Sequence, residues 1–378
     1  MRGGPSMMGI ISGPGQEVLQ ISTIFREEKM RKNTKLLSLL LFAAILFSLV
    51  VTGPALAQKK PVILRLTIAT PPGDFPQTFR DTEMAKRFNE RAKGEYVLEV
   101  HPGMALAKLP EFMDAVRIGA VEMQFSNWGM FQGMDPRLGL LEMPFLFSSE
   151  GACSAGVKQM MPLFDKVMQE KFNAKVIGMM STGGLGVWSQ KPIKTLEDIK
   201  GVLMASVSPA TSNMLKTLGA APVTIMFPDI YESLSKKIVN GSAQSAHGGN
   251  VFQFFDSCKY YTSMFNMGAP AGYTINLDVW KKMPAHIQKI LLEEAAKAGD
   301  WMADVMATRL PDMDLKTFKE KGVTVYYLPA DERAKWAALF TATNEAEIKK
   351  FGDLGTQFKK IVDDANKKHP YKADKSNM

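Results

Sequence analysis

Small hydroxyl side chains surround one predicted strand-to-helix corner. The segment Leu196–Asn213, "LEDIKGVLMASVSPATSN", predicts a helix ending at Gly201, a short apolar strand, and a second helix beginning near Pro209. Such corners often hold small ligands, because free backbone N–H groups at the helix start bind polar or anionic groups. The hydroxyl donors at this corner are Ser206, Ser208, Thr211 and Ser212. N-capping by Ser208, which requires no ligand, is the competing interpretation.

The sequence after residue 57 lacks the common motifs of catalytic sites. The chain after residue 57 contains no GxSxG, HExxH, GxxxxGK[ST] or complete GxGxxG motif, and no His/Cys cluster with metal-ligand spacing. His247 in "QSAHGGN" follows a predicted strand and precedes two glycines, where backbone can approach a ligand; a plain turn is the alternative. We therefore predict a binding protein with no catalytic residue and no cofactor, and the sequence nominates no metal ligand.

The amino terminus has the three parts of a secretory signal. A basic start (Arg31, Lys32, Lys35) precedes the apolar run 36–51, and Ala55-Leu56-Ala57 is a small-x-small cleavage site. We predict a mis-assigned upstream start at 1–29, a signal peptide at 30–57, and export to the periplasm by cleavage after Ala57. A retained membrane anchor is the alternative, although the apolar run is short for a span.

The charge of the chain limits the classes of partner it can bind, and its cysteine content limits its disulfides. The chain has a formal net charge of +8, of which the first 57 residues carry +3, and its lysines are scattered rather than clustered with aromatic residues. This pattern argues against nucleic-acid binding. Cys153 and Cys258 are the two cysteines, and either two buried thiols or one disulfide fits the exported context.

Removing the signal leaves 321 residues, enough for two lobes. Short apolar strands alternate with amphipathic helices from Val62 onward, which predicts α/β layers. Among these elements we predict strands over 174–181, 186–190 and 242–249 and a helix over 228–241. We predict lobe 1 mainly in 58–180, lobe 2 mainly in 181–275, and helices packing on both lobes in 276–378. A helix from about Pro284 to Leu310 would be roughly 40 Å long and could lie across both lobes. Because no flexible linker is evident, we expect crossing strands to join the lobes.

Six segments of the chain resemble, in the same order, segments of one known protein family. They are "LRLTIATPPG", "EVHPGMAL", "DAVRIGAVEMQF", "LEMPFLF", "KPIKTLEDIKGVLM" and "LGAAPVTIMFPDIYESL", followed by "LDVWKKMPAHIQKIL" at the start of the long helix. The chain resembles solute-binding proteins of tripartite ATP-independent periplasmic (TRAP) transporters, of the DctP type. The resemblance implies a two-lobed periplasmic binding protein fold that closes on a small molecule and delivers it to a sodium-driven membrane permease.

The chain departs from that family at its ligand-binding arginine. The family strand usually reads Gly-Leu-Lys-Ile-Arg-Val, whereas here Ala205 stands at the arginine position, and no arginine occurs between Arg137 and Arg309. Lysine cannot reproduce the planar two-pronged contact of arginine with a carboxylate. We therefore expect a weakly charged solute, such as a monocarboxylate or an aromatic compound. Entry of Arg65, Arg80, Arg117 or Arg137 into the cleft would contradict this expectation.

Other positions carry over from the resemblance. Phe227 matches an aromatic residue beside the ligand, and Gln244 stands where many members have Asn. Asn127 and Trp128 end the third strand at the expected mouth of lobe 1, and Trp188 lies near the hinge. The predicted solute-binding residues are Asn127, Trp128, Trp188, Ala205, Ser206, Phe227, Gln244 and His247.

The sequence thus predicts the solute-binding subunit of a TRAP transporter, with a small organic solute and membrane permease subunits as partners. Presentation of the ligand to a membrane sensor is the main alternative. An exported enzyme using His247 is the remaining one.

Overall fold

The computed structural model describes residues 60–73 and 75–378; the predicted upstream start and signal peptide lie outside the described residues. A nine-stranded mixed sheet has the order β2-β1-β3-β8-β4-β7-β5-β6, with β9 paired to β8. The strands are β1 (Val62–Ile68), β2 (Tyr96–His101), β3 (Met123–Asn127), β4 (Ala174–Ser189), β5 (Leu203–Ser206), β6 (Ala221–Thr224), β7 (Gly241–Gln244), β8 (Tyr260–Asn276) and β9 (Thr324–Tyr327).

Two long antiparallel strands, β4 and β8, run through the whole sheet. Their pairing extends from Ala174 opposite Asn276 to Ser189 opposite Tyr260. β3 pairs with one end of β8, and β7 pairs with the opposite end of β4. We call β1–β3 with the adjoining strand halves lobe 1, and β5–β7 and β9 with the other halves lobe 2. The predicted crossing strands are therefore confirmed.

Helices cover both faces of the sheet, as expected where parallel strands are joined by helical crossovers. They are α1 (Pro76–Ala92), α2 (Phe112–Arg117), α3 (Glu150–Phe172), α4 (Leu196–Ile199), α5 (Pro209–Thr217), α6 (Ile230–Ser235), α7 (Ala246–Val251), α8 (Leu277–Lys282), α9 (Ala285–Asp304), α10 (Leu310–Lys321), α11 (Ala330–Lys349) and α12 (Gly352–Lys368). In lobe 1, α1 and α9 cover one face and α3 and α12 the other. In lobe 2, α5 and α11 cover one face and α6, α7 and α10 the other.

The predicted long helix continues beyond Leu310. α9 passes through a π-helical turn, Val305–Arg309, directly into α10. Pro311 has no N–H to donate into the preceding turn, and the wider turn accommodates the missing bond. α9 packs on α1 and β4, whereas α10 packs on α7 and β9, so this helical rod contacts both lobes.

Several local predictions are wrong. The segments predicted as two strands, 174–181 and 186–190, form the single strand β4. The helix predicted over 228–241 ends at Ser235, because Lys237 adopts a left-handed conformation with φ 57°, and Ile238 is exposed. The strand predicted over 242–249 ends at Gln244 and is followed by α7.

Cys153 and Cys258 are both free and buried. Cys153 packs with the α3 and α12 side of lobe 1, and Cys258 packs beneath α10 in lobe 2. Burial raises the pKa of Cys258 to about 12, so this thiol stays protonated and unreactive at neutral pH.

Candidate functional site

The registers of the crossing strands place the strand ends of the two lobes opposite each other. β3 ends at Asn127, opposite Ala271 of β8, and β7 ends at Gln244, opposite Gly186 of β4. Because β4 and β8 are antiparallel, these two strand ends point toward each other. On β8, Met267, which lies opposite Leu185, and Ala271 are four residue steps apart, which corresponds to roughly 13 Å along the strand. We call the space between the facing strand ends the cleft.

The backbone of the crossing strands is irregular beneath the cleft. Gly183 has φ +107°, a conformation that favours glycine, and the pairing shifts register on both sides of it. On β8, four residues, Ser263–Asn266, lie opposite the single residue Gly186. Phe265 in this bulge has φ 46°. Bulges and left-handed residues concentrated between two lobes are positions at which strands can bend during closure.

Arg333 of α11 holds this bulge from behind. Its Nε donates to the carbonyl of Met264 at 2.7 Å, and its Nη2 donates to Phe265 and Phe147 at 2.8 and 2.9 Å. The guanidinium also lies over the Tyr371 ring, 4.7 Å from its centroid. Burial lowers the pKa of Arg333 to about 10, so the group remains cationic at neutral pH. No local sequence pattern marks Arg333 for this role.

Asn127 and Trp128 lie at the lobe 1 mouth of the cleft. The Asn127 side-chain amide donates to Thr182 Oγ1 at 3.0 Å and to the carbonyl of Ala269 at 3.1 Å, so it ties β3 to both crossing strands. Trp128 is fully buried, and a Cβ at Gly272 would lie 2.3 Å from its ring. The indole N–H of Trp128 has no hydrogen-bond partner within the described residues.

Trp188 and Ala205 belong to one buried aromatic cluster of lobe 2. The indole N–H of Trp188 donates to the carbonyl of Ser245 at 3.0 Å. Its ring packs edge-on against Phe318, with centroids 5.0 Å apart. A Cβ at Gly249 would lie 2.1 Å from the ring, so glycine is required there. Both residues therefore pack in the core, which leaves no room for an arginine side chain at position 205.

The serine-rich corner has the predicted geometry. Ser208 Oγ accepts from the backbone N–H of Thr211 at 3.2 Å, so Ser208 caps α5. Ser206 ends β5 and is 1% exposed, and its hydroxyl has no hydrogen-bond partner in the described part of the chain. The capping interpretation is correct for Ser208, while Ser206 retains a free hydrogen-bonding group beside the cleft.

Phe227 and Gln244 lie on neighbouring segments of lobe 2. Phe227 follows β6 and packs edge-on against Phe252, with ring centroids 4.3 Å apart. Gln244 is 9% exposed, and its Oε1 accepts from the backbone N–H of Ser245 at 2.8 Å. The structure thus places Gln244 at the strand end that faces lobe 1, with Phe227 on the segment that follows β6.

His247 occupies the first turn of α7, where it faces α10. Its Nδ1 lies 3.3 Å from Asp314 Oδ1, which also accepts from Asn250 Nδ2 at 2.7 Å. These three residues line a surface pocket of about 300 Å³ together with residues of α7, the following turn and α10. All of its lining residues belong to lobe 2 or α10, so the pocket is separate from the cleft.

The sequence pattern did not indicate two further polar residues of this region, Asn266 and Glu142. Asn266 in the β8 bulge is fully buried, and neither its Oδ1 nor its Nδ2 has a partner among residues 60–73 and 75–378. Glu142 ends the 3₁₀ segment Pro136–Glu142, and its Oε2 is buried and likewise without a partner in those ranges. Burial raises the pKa of Glu142 to about 7, and the Ser208 hydroxyl partly offsets this effect. A lone Glu or Asn in an apolar segment gives no signal in one sequence.

The four arginines whose entry into the cleft would contradict a weakly charged solute are each paired with a carboxylate. Arg65 pairs with Glu122 at 2.8 Å, and Arg117 pairs with Asp114 at 2.8 Å. Arg137 pairs with Asp135 and Glu170. Arg80 is buried against Asp81, with its guanidinium 4.0 Å from the centroid of the Phe125 ring. Each of these guanidinium groups is neutralised by a carboxylate of its own lobe.

Membrane-spanning helices and metal-binding clusters are two features that the described residues lack. None of the helices in this part of the chain has the length and apolar character needed to cross a bilayer. Among the same residues, no group of three or more His, Cys, Asp or Glu side chains is placed to hold a metal ion.

Comparisons with known proteins agree with this architecture. Residues 70–350 match the model of the DctP family, "Bacterial extracellular solute-binding protein, family 7". The C4-dicarboxylate-binding periplasmic protein DctP of Rhodobacter capsulatus is 24% identical, with 82% of this chain and 93% of that protein covered.

Two solved structures share the fold. DctP7 of Bordetella pertussis, an extracytoplasmic solute receptor binding pyroglutamic acid, is 23% identical with a TM-score of 0.72 and covers 80% of this chain and 99% of its own. A TRAP periplasmic solute-binding protein of Desulfovibrio salexigens with bound orotic acid is 21% identical with a TM-score of 0.72 and covers 81% and 99%. The family model covers most of the chain and the fold is the two-lobed one of these receptors, so this chain belongs to the DctP family of solute-binding proteins.

Proposed function

We propose that this protein is the periplasmic solute-binding subunit of a TRAP transporter, exported through a cleaved signal peptide. It captures a small organic solute in the cleft and delivers it to a sodium-coupled membrane permease. The solute is weakly charged: an aromatic compound, a monocarboxylate or another molecule without two carboxylates.

The observation that carries this proposal is the pair of facing strand ends above an irregular crossing of β4 and β8. Two lobes joined in this way can close on a molecule, and the ligand shifts the closed population by as much as its contacts favour the closed state. The predicted solute-binding groups around the cleft include the amides of Asn127 and Gln244, the hydroxyl of Ser206 and the ring of Phe227. The buried carboxyl group of Glu142 lies at the same junction of the lobes.

The weak charge of the solute follows from the replaced arginine. The relatives bind different acids: the R. capsulatus protein binds C4-dicarboxylates, and the solved receptors hold pyroglutamic and orotic acid. In this chain Ala205 is buried in the core, Arg65 and Arg80 are paired with carboxylates, and Arg333 donates to backbone carbonyls behind the β8 bulge. Burying a carboxylate without a cation costs several kcal/mol, which disfavours a dicarboxylate here.

Transport by a reconstituted system tests the proposal. The mature protein would be added to proteoliposomes that contain a TRAP permease encoded beside its gene. Uptake of the bound solute should require the protein, the permease and an inward sodium gradient. Solute binding without uptake under these conditions would contradict delivery to a permease and favour presentation to a membrane sensor.

A further inference from the structure

Glu142 is a carboxyl group placed between the two lobes without a cation. It ends the segment Pro136–Glu142, whose leucines anchor it in the lobe 1 core. Gly129, two residues beyond the end of β3, lies directly against it: a Cβ there would be 2.2 Å from Cγ of Glu142. On the lobe 2 side, Ser208 at the start of α5 is near enough to influence its ionisation.

The chain beyond Glu142 leads straight to the floor of the cleft. Three residues later, the backbone N–H of Phe145 donates to the carbonyl of Asn266 at 2.6 Å. Glu142, Ser206 and Asn266 thus bring buried polar atoms without partners in the described structure to the same junction of the lobes. Buried polar atoms are nearly always hydrogen-bonded, so a group of unpaired ones indicates that another molecule completes their bonding.

We propose that Glu142 is a specificity-determining residue that selects solutes presenting a hydrogen-bond donor, a hydroxyl or an amine nitrogen, to its carboxyl group. The inference rests on the proposed solute-binding function and narrows the solute class. Above the pKa of Glu142, about 7, the ionised Glu142 carboxylate accepts hydrogen bonds only, so a solute carboxylate at this position would meet a second acceptor of like charge. A solute hydroxyl or amine supplies the missing partner of Oε2.

Equilibrium dialysis at pH 8.5, above the pKa of Glu142, against a defined mixture tests this inference. The mixture contains equimolar amines, alcohols, monocarboxylates and dicarboxylates built on shared carbon skeletons, and mass spectrometry quantifies both chambers. Wild-type protein should enrich the amine or alcohol at least tenfold over the carboxylate of the same skeleton. Glu142→Gln keeps the shape but adds a donor and removes the charge, and it should bring this ratio to within threefold of one.

Controls separate specificity from folding. Glu90→Gln removes a charge from the exposed face of α1 and should leave the ratio unchanged. Glu142→Asp keeps the acid but withdraws it by one methylene, so it should preserve the preference at lower affinity. Circular dichroism should show that each variant is folded.

The outcomes distinguish the two proposals. Enrichment of carboxylates over donors by wild-type protein, or an unchanged ratio in Glu142→Gln, overturns the role of Glu142 but leaves solute binding intact. Enrichment of no compound by the wild-type protein contradicts both the inference and the proposed function.

Discussion

The pH dependence of protein stability tests whether the carboxyl group of Glu150, near the lobe junction, is buried and holds its proton. It is the first residue of α3 and is 3% exposed. Its Oε1 accepts from Ser154 at 2.9 Å and its Oε2 from Ser181 of β4 at 3.1 Å. Burial raises the pKa of Glu150 from an ordinary value of 4.5 to about 7. The perturbation is Glu150→Gln, which keeps the shape and removes the ionisation.

The sign and size of the effect follow from proton linkage. Between pH 4.5 and 7 the folded protein holds the Glu150 proton, whereas the unfolded chain has released it. The free energy of unfolding therefore falls as pH rises through this window, by about 3 kcal/mol in all for this pKa difference. The glutamine variant lacks this dependence. It should match wild type within about 1 kcal/mol at pH 4.5 and exceed it by up to about 3 kcal/mol at pH 8.

Urea denaturation from pH 4.5 to 8.5, followed by circular dichroism, measures the effect. Exposed Glu345→Gln on α11 removes the same charge from the surface and controls for net charge. Free energies of wild type and Glu150→Gln that run parallel over the whole pH range would refute the assignment of a buried, proton-holding carboxyl group.

Three further predictions concern the cleft and the core. Ala205→Arg should destabilise the protein by at least ~3 kcal/mol and create no dicarboxylate binding, because the arginine side chain would be forced into the aromatic cluster around Trp188. A stably folded variant that binds succinate tightly in calorimetry would contradict this prediction. Asn266→Leu removes two unpaired buried polar atoms, so it should raise the free energy of unfolding of the solute-free protein by ~1–2 kcal/mol in urea titrations. The same change should weaken solute binding at least tenfold. An unchanged affinity would exclude Asn266 from the site. Cys153 and Cys258 should fail to react with Ellman's reagent in native protein and release two equivalents in urea; a native protein that yields no thiol even in urea would instead contain a disulfide.

Local patterns predicted most of the elements around the cleft. The β5–α5 corner was predicted from its apolar strand, its turn at Gly201 and its helix start at Pro209. This was possible because proline at the first helical position and a serine cap are short-range signals. The absence of a linker predicted the crossing of β4 and β8. The end of the helix at Ser235 was not predictable from the apolar spacing of Ile230, Leu234 and Ile238, since a single left-handed residue at Lys237 overrides that spacing.

The roles of individual side chains depended on long-range contacts. Trp188 was predicted as a solute-binding residue from its position near the hinge, and Phe254, Tyr261 and Phe318 from distant parts of the chain pack around its ring. Arg333 reaches the β8 bulge from α11, far along the sequence. Nothing within ten residues of either position reveals these contacts, so a single sequence cannot distinguish a core tryptophan from a cleft tryptophan.

We infer that the lobes close on one small organic solute without an arginine in the cleft, and native mass spectrometry of freshly purified protein detects that solute. We predict a single low-mass adduct that is lost on unfolding, with at most one carboxylate and a hydroxyl or amine group in the released compound. A tightly bound dicarboxylate would contradict it.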